Sequence, residues 1–405
     1  MPVLSSLGAF FRRHKRKIMF TSAASVTAYL VFYQFVIKRF RNFQNTLKHE
    51  LFVKEQIKRR YIQTQTDCYL TVLALLPVLT RPIMAHLPTE SLTAALKRKK
   101  NVNRALSESL TTENLLVHSE EGSSGLDSEM LLLLAKSKLQ LWDDLKVKSI
   151  SRVLALIYSS SGLLLLTRLQ LNILARKSYL ELAIVMAGGS PQAGTQNSYE
   201  YFIEQSYLSL SWWLLNHGWL QISDRLESLV ESKFIQISPK TELTMETFSL
   251  LLSEVNIEVM ENKESPILHL VFPVRYEDLI ETLMNTNPEL VNELENKDLN
   301  LVKLINETNF IFSNTFTLQV MLSLVQSGLA TLCESILMQL NPQNQADRSH
   351  KLATFLAQVS VQSGMLSDSK SYIVDEESTG NIYLNRINDV EALDDFSASI
   401  YSNFE

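Results

Sequence analysis

"VLALIYSSSGLLLLTRLQLNIL", residues 153–174, is the stretch on which the fold turns. By hydropathy it looks like a membrane span, but by length it does not. Its uncharged part ends at Arg168 after about fifteen residues, short of the roughly twenty a helix needs to cross a hydrocarbon core. Ser159, Ser160, Ser161 and Gly162 sit in its middle. A helix apolar on most sides and too short to span belongs at the centre of a bundle. The alternative, a second span, would place the two ends of the remaining chain on opposite sides of a membrane.

The wider composition agrees with an all-α protein. The chain has 405 residues, with only 11 glycines and 10 prolines, and leucine-rich runs recur throughout. That length supports one large domain or two ordinary ones. A net charge of -5 argues against a nucleic-acid partner, though the first hundred residues are basic and the last thirty or so acidic. Two distant cysteines, Cys68 and Cys333, support neither a disulfide framework nor a zinc site and point to a reducing compartment.

The strongest membrane signal lies at the amino terminus. Residues 1–17 end in "FFRRHKRK", which supplies Arg12, Arg13, Lys15, Arg16 and Lys17. Ile18 to Ile37 then run without a formal charge, the length of a transmembrane helix, until Lys38, Arg39 and Arg41 close the segment. A cleaved secretory signal has a shorter apolar run and a small-residue cleavage site, and a core helix rarely has basic clusters at both ends. Both flanks are positive, so charge does not settle the orientation.

Residues 38–405 read as a helical-bundle domain. A long helix, with a polar stalk followed by an apolar run from Tyr69 to Leu79, should kink or end at Pro77 and Pro82. Residues 99–134 and 366–382 read as flexible loops, polar and poor in apolar residues. "YFIEQSYLSLSWWLLNHGWLQISDRLESLVESKF" reads as one long amphipathic helix, with Trp212, Trp213 and Trp219 either packed in the core or turned to lipid. "SPILHLVFPV" reads as extended, and "DVEALDDFSASIYSNFE" as a last helix with acids in its first turn.

Catalysis finds no support in the residue patterns. "GGSPQAGT", Gly188 to Thr195, has phosphate-loop glycines but no lysine and no preceding strand. No G-x-S-x-G and no H-E-x-x-H occur, and the seven histidines show no metal-ligand spacing. No cofactor and no metal are expected. Asn306-Glu307-Thr308 matches a glycosylation acceptor, a triplet that chance often supplies.

One residue remains to be placed. In "SKLQLWDDLKVKS", residues 137–149, a helical wheel puts Leu139, Val147, Ile150, Val153, Leu154 and Ile157 on one core stripe. Leu141, Trp142 and Leu145 fall to one side as a smaller apolar patch, rimmed by Lys138, Lys146, Asp143 and Asp144. Such a patch is either a protein-binding site or core covered by another helix of the bundle. Burying a tryptophan removes about 200 Å² from water, on the order of 5 kcal/mol before the costs of association, so one such anchor can dominate an interface.

"SLTAALK" (91–97), "KLQLWDDLK" (138–146) and "LTRLQLNIL" (166–174), with the basic anchor and "TVLALLPVL" (71–79), resemble the signature segments of the peroxin three family. The likeness is strongest up to Ala183. It implies a single-span peroxisomal membrane protein, with a short amino terminus in the matrix and a large elongated helical bundle in the cytosol. The endoplasmic reticulum membrane is a second membrane that the resemblance implies. It further implies a docking receptor, not an enzyme, for peroxin nineteen, the carrier of newly made peroxisomal membrane proteins. Carried over to matching positions, the groove for that partner's amphipathic helix comprises Thr93, Leu96, Lys97, Lys138, Leu141, Trp142 and Leu145. The polar insertion 99–134 between the two groove segments departs from the family pattern. Yeast-type relatives also bind inheritance and degradation factors, which leaves a membrane-tethered scaffold using another face as the alternative.

Overall fold

The computed structural model describes residues 38–109, 128–186, 195–262, 266–294, 299–340, 348–368 and 380–403. The expected anchor over 18–37, its basic flank and the "GGSPQA" stretch lie outside those residues. The chain divides into two units, residues 1–63 and 64–405. In the first, Glu55 and Arg59 pair one helical turn apart at 3.2 Å on an exposed face.

The fold is all-α. In order, the helices are α1 (Lys38–His86), α2 (Thr89–Ser109), α3 (Ser128–Ala135), α4 (Lys138–Met186), α5 (Thr195–Leu208), α6 (Trp219–Phe234) and α7 (Met245–Glu261). They continue with α8 (Ile267–Val271), α9 (Tyr276–Thr286), α10 (Asn300–Phe312), α11 (Thr315–Leu340), α12 (Leu352–Ser367), α13 (Ile382–Asn388) and α14 (Glu391–Tyr401). Two two-residue strands, β1 (Glu242–Leu243) and β2 (His350–Lys351), pair antiparallel.

The stretch 153–174 lies inside α4, which is long and apolar enough to cross a membrane, so the short-run reading fails while the expected place at the centre of the bundle holds. The most apolar window of α4 is wholly buried, and the helix packs against α2, α6, α8, α11, α12 and α14. At about 1.5 Å per residue, its 49 residues run for roughly 74 Å through the bundle. Arg168, the charge that closes the apolar run, is itself buried. Its guanidinium donates to Asn388 at 2.8 Å, to Asp394 at 3.3 Å and to Gln65, so the charge is compensated where water is excluded.

Several local expectations are corrected. α1 passes through Pro77 and Pro82 and ends only at His86, ahead of Leu87-Pro88. Buried contacts from Val72, Leu76, Leu79 and Ile83 hold the helix where each proline removes one backbone donor. The insertion 99–134 is not one loop: α2 extends to Ser109, and α3 begins at Ser128. Likewise α12 reaches Ser367 within the loop expected over 366–382.

The long helix expected across 201–234 is interrupted. A 3₁₀ turn at Ser209–Ser211 and a π turn at Leu214–Gly218 separate α5 from α6. At the end of the π turn two backbones approach closely, since a Cβ on Gly218 would fall 2.1 Å from the Leu270 carbonyl oxygen. Trp213 is buried and stacks on His217, with ring centroids 5.3 Å apart, while Trp212 and Trp219 are half-buried. "SPILHLVFPV" holds the short helix α8 rather than an extended piece. Finally, the hydroxyl of Thr308 is buried against Tyr207 and Leu304 inside α10, which removes the Asn306 triplet from a surface loop.

Candidate functional site

The amino-terminal end of α4 is set by local chemistry. Ser137 Oγ accepts from the Gln140 backbone N–H at 3.1 Å, and Gln140 Oε1 accepts from the Ser137 N–H at 2.8 Å. This reciprocal capping box fixes the helix start and hence the angle at which each following side chain emerges. The Lys99 ammonium of α2 donates to the Lys136 carbonyl, and Lys136 pairs with Asp144 at 2.6 Å, so the α3–α4 junction is tied down from both sides.

α2 is fastened to α4 by a charge pair. The guanidinium of Arg152, fully buried, donates to both Glu90 oxygens at 2.8 and 2.9 Å and to Ser360 Oγ at 3.1 Å. Burial pushes the Glu90 carboxyl up, but the Arg152 hydrogen bond and charge outweigh it and hold the group below the usual carboxylate range.

This fastening brings the predicted groove segments together. Leu96 of α2 joins Leu141 and Leu145 of α4 in one buried apolar cluster with Leu92 and Ala95, separate from the main core. Trp142 is half-buried against that cluster. Thr93 is half-buried on the same helix and spends its hydroxyl on the Thr89 carbonyl at 2.8 Å. Lys97 and Lys138 are exposed.

Three details differ from the wheel. Leu139, expected in the core stripe, is 69% exposed, because the capped first turn of α4 projects beyond the bundle. Lys146, expected on the rim, is buried, and its ammonium reaches Asp143 at 3.2 Å and the Ile237 carbonyl at 3.0 Å. The third is α3: its Met130, Leu133 and Leu134 pack on the same cluster and so cover part of the patch. No sequence signal assigned that role to "EMLLLLA", although Met130, Leu133 and Leu134 stand at the i, i+3, i+4 spacing of one helix face.

The described residues offer little for catalysis. Burial pushes the Cys68 thiol up to about 12 and the Cys333 thiol up to about 11, so neither is a thiolate nucleophile near neutral pH. His86, distant in sequence from Asp224 and Glu227, brings a ring nitrogen within 4.8 Å of an oxygen of each. The Lys148 ammonium already answers Glu227 at 2.9 Å, and His86 lies 3.1 Å from Asp224, so the trio reads as an ion-pair network tying α1 to α6.

The fold and this site define an all-helical protein, built around one long buried helix, whose chemical interest is an apolar cluster beside exposed lysines. Comparison with known proteins supplies the family. The Peroxin-3 family model matches residues 9–403. The chain is 51% identical to peroxisomal biogenesis factor 3 of Debaryomyces hansenii over the whole of both chains. It is 32% identical to peroxisomal membrane protein PEX3 of Komagataella phaffii, again over the whole of both. It is 28% identical to peroxisomal biogenesis factor 3 of Saccharomyces cerevisiae, covering 98% of this chain and 96% of that one. The chain belongs to the Peroxin-3 family of peroxisome biogenesis factors.

Proposed function

We propose that this protein is a docking receptor of the peroxisomal membrane that binds the amphipathic helix of peroxin nineteen and so supports insertion of peroxisomal membrane proteins. Residues 18–37 hold it in the bilayer as a single span, with residues 1–17 in the matrix and the helical bundle in the cytosol. The observation that carries the reading is the cluster under Trp142. A helix with an apolar face fills such a cleft through a few anchors, and Trp142 is the large aromatic beside it. Lys97 and Lys138 at the edge favour a partner that carries acids, and they act mainly on encounter rate.

The test is a binding titration of the full chain in detergent against purified peroxin nineteen. Trp142→Ala should weaken binding by at least about 2 kcal/mol while circular dichroism stays unchanged. Equal affinity would end the groove proposal, and global unfolding would assign Trp142 to the core. Protease protection of intact organelles checks the topology: the bundle should be digested and residues 1–17 spared.

A further inference from the structure

α3 packs on the cluster to which the docking reading above assigns a visiting helix. Its inward residues, Met130, Leu133 and Leu134, follow the i, i+3, i+4 spacing by which an amphipathic helix fills a groove. They supply three of the four partly buried apolar side chains packed on the cluster, the fourth being Trp142. The hold is slight, because Leu131 and Leu132 of the same helix are 54% and 70% exposed. A helix of eight residues is well below the roughly twelve to fifteen at which isolated helices become marginal in water, so α3 depends on its docked contacts for its helicity.

We infer that α3 is an internal stand-in for the partner: it covers the groove in the free protein and is displaced when the partner's helix binds. The inference rests on the docking reading above and adds regulation to it. Two helices cannot use one cluster at once, so the apparent affinity is the intrinsic one multiplied by the fraction of molecules whose α3 is undocked. Coverage also keeps apolar surface from water until a partner arrives, which limits self-association of the bare patch. The spacing on α3 further states what the groove takes, a helix presenting one apolar residue followed three and four positions later by two more.

The experiment uses the full chain in detergent, with peroxin nineteen as titrant and amide hydrogen exchange as a second readout. The Met130→Gln, Leu133→Gln, Leu134→Gln triple variant should bind about five- to tenfold more tightly. Without any partner, exchange in residues 138–146 of that variant should rise. Leu131→Gln with Leu132→Gln, on the outer face, should leave affinity unchanged. On binding, residues 128–135 of the unaltered protein should lose protection while 138–146 gain it. If the triple variant unfolds, Leu133→Ala alone should still tighten binding about twofold.

Equal or weaker binding by the inner-face variants (the triple variant and Leu133→Ala), with Trp142→Ala still impaired, overturns the stand-in and leaves the docking reading intact. Protection gained by 128–135 on binding makes α3 part of the receptor surface and likewise overturns it. Binding that ignores Trp142, or no binding at all, removes the docking reading and the stand-in with it.

Discussion

The two ends of the exposure range in α4 lie only a few turns apart. From Ser149 to Gln170 nearly every side chain is buried, serines and arginines included, whereas from Lys138 to Lys148 buried Leu141, Leu145 and Lys146 alternate with half-buried and exposed positions. The same helix is thus a structural axis in one part and a surface element in the other. The difference shows where each kind of residue earns its place. In the buried part each arginine is met by a partner, as Glu90 meets Arg152 and Asn388 meets Arg168, whereas the hydroxyls of Ser149, Ser151, Ser159, Ser160 and Ser161 are buried without one. In the surface part an apolar group can remain half in water, as Trp142 does.

The largest expected effect breaks the buried half. Leu164→Asp places a carboxylate at a fully buried position and should cost about 5 kcal/mol or more, read as loss of the cooperative thermal transition. A mild change in melting temperature would mean that the bundle opens around α4 far more readily than its packing implies.

Next comes the link between the two halves. Glu90→Gln removes the counter-charge of the buried Arg152 guanidinium, and because the Glu90 side chain is itself 67% exposed, solvent screens the pair and the cost should be about 1 kcal/mol in denaturant unfolding. The pH dependence has a definite sign. The Glu90 carboxyl is held below its usual value in the folded protein, so its contribution is complete above the unfolded value of about 4.3. That contribution is lost as pH falls through the lower, folded value. The Gln variant should therefore lose less stability than the unaltered protein across that acid window, and parallel acid curves would refute the assignment.

The smallest effect belongs to the surface half. Leu139→Ser, at a residue 69% exposed, should change stability by less than about 0.5 kcal/mol, although the helical wheel places it with the core. A loss of several kcal/mol would show that the first turn of α4 is covered in the intact protein.

The fold class was legible because apolar runs at helical spacing, few glycines and few prolines leave a chain little choice but helices. The central position of 153–174 was anticipated, but length does not carry it, since α4 as a whole is long and apolar enough to span a bilayer. The joining of "SLTAALK" with "KLQLWDDLK" was visible only through family resemblance, since periodicity says which face of a helix is apolar and not which helix covers it. Three features escaped. The break before α6 lies where the Leu270 carbonyl meets Gly218, a contact between residues 52 positions apart by their numbering. The helix at 128–135 was hidden inside a polar insertion and is stabilised by a cluster contributed by other segments. The approach of His86 to Asp224 spans 138 positions, beyond any motif spacing.

The sequence by itself determined that this chain is helical, that residues 18–37 have the length and apolarity of a membrane span, and to which family of proteins it is similar. Those properties are sums over neighbouring residues, and local composition is enough to decide them. Tertiary structure decided that Leu141 and Leu145 are sealed while Trp142 stays half-buried, that Lys146 turns inward, and that α3 lies on the cluster. Burial depends on what the rest of the chain brings to a face, and that is a property of packing between distant segments.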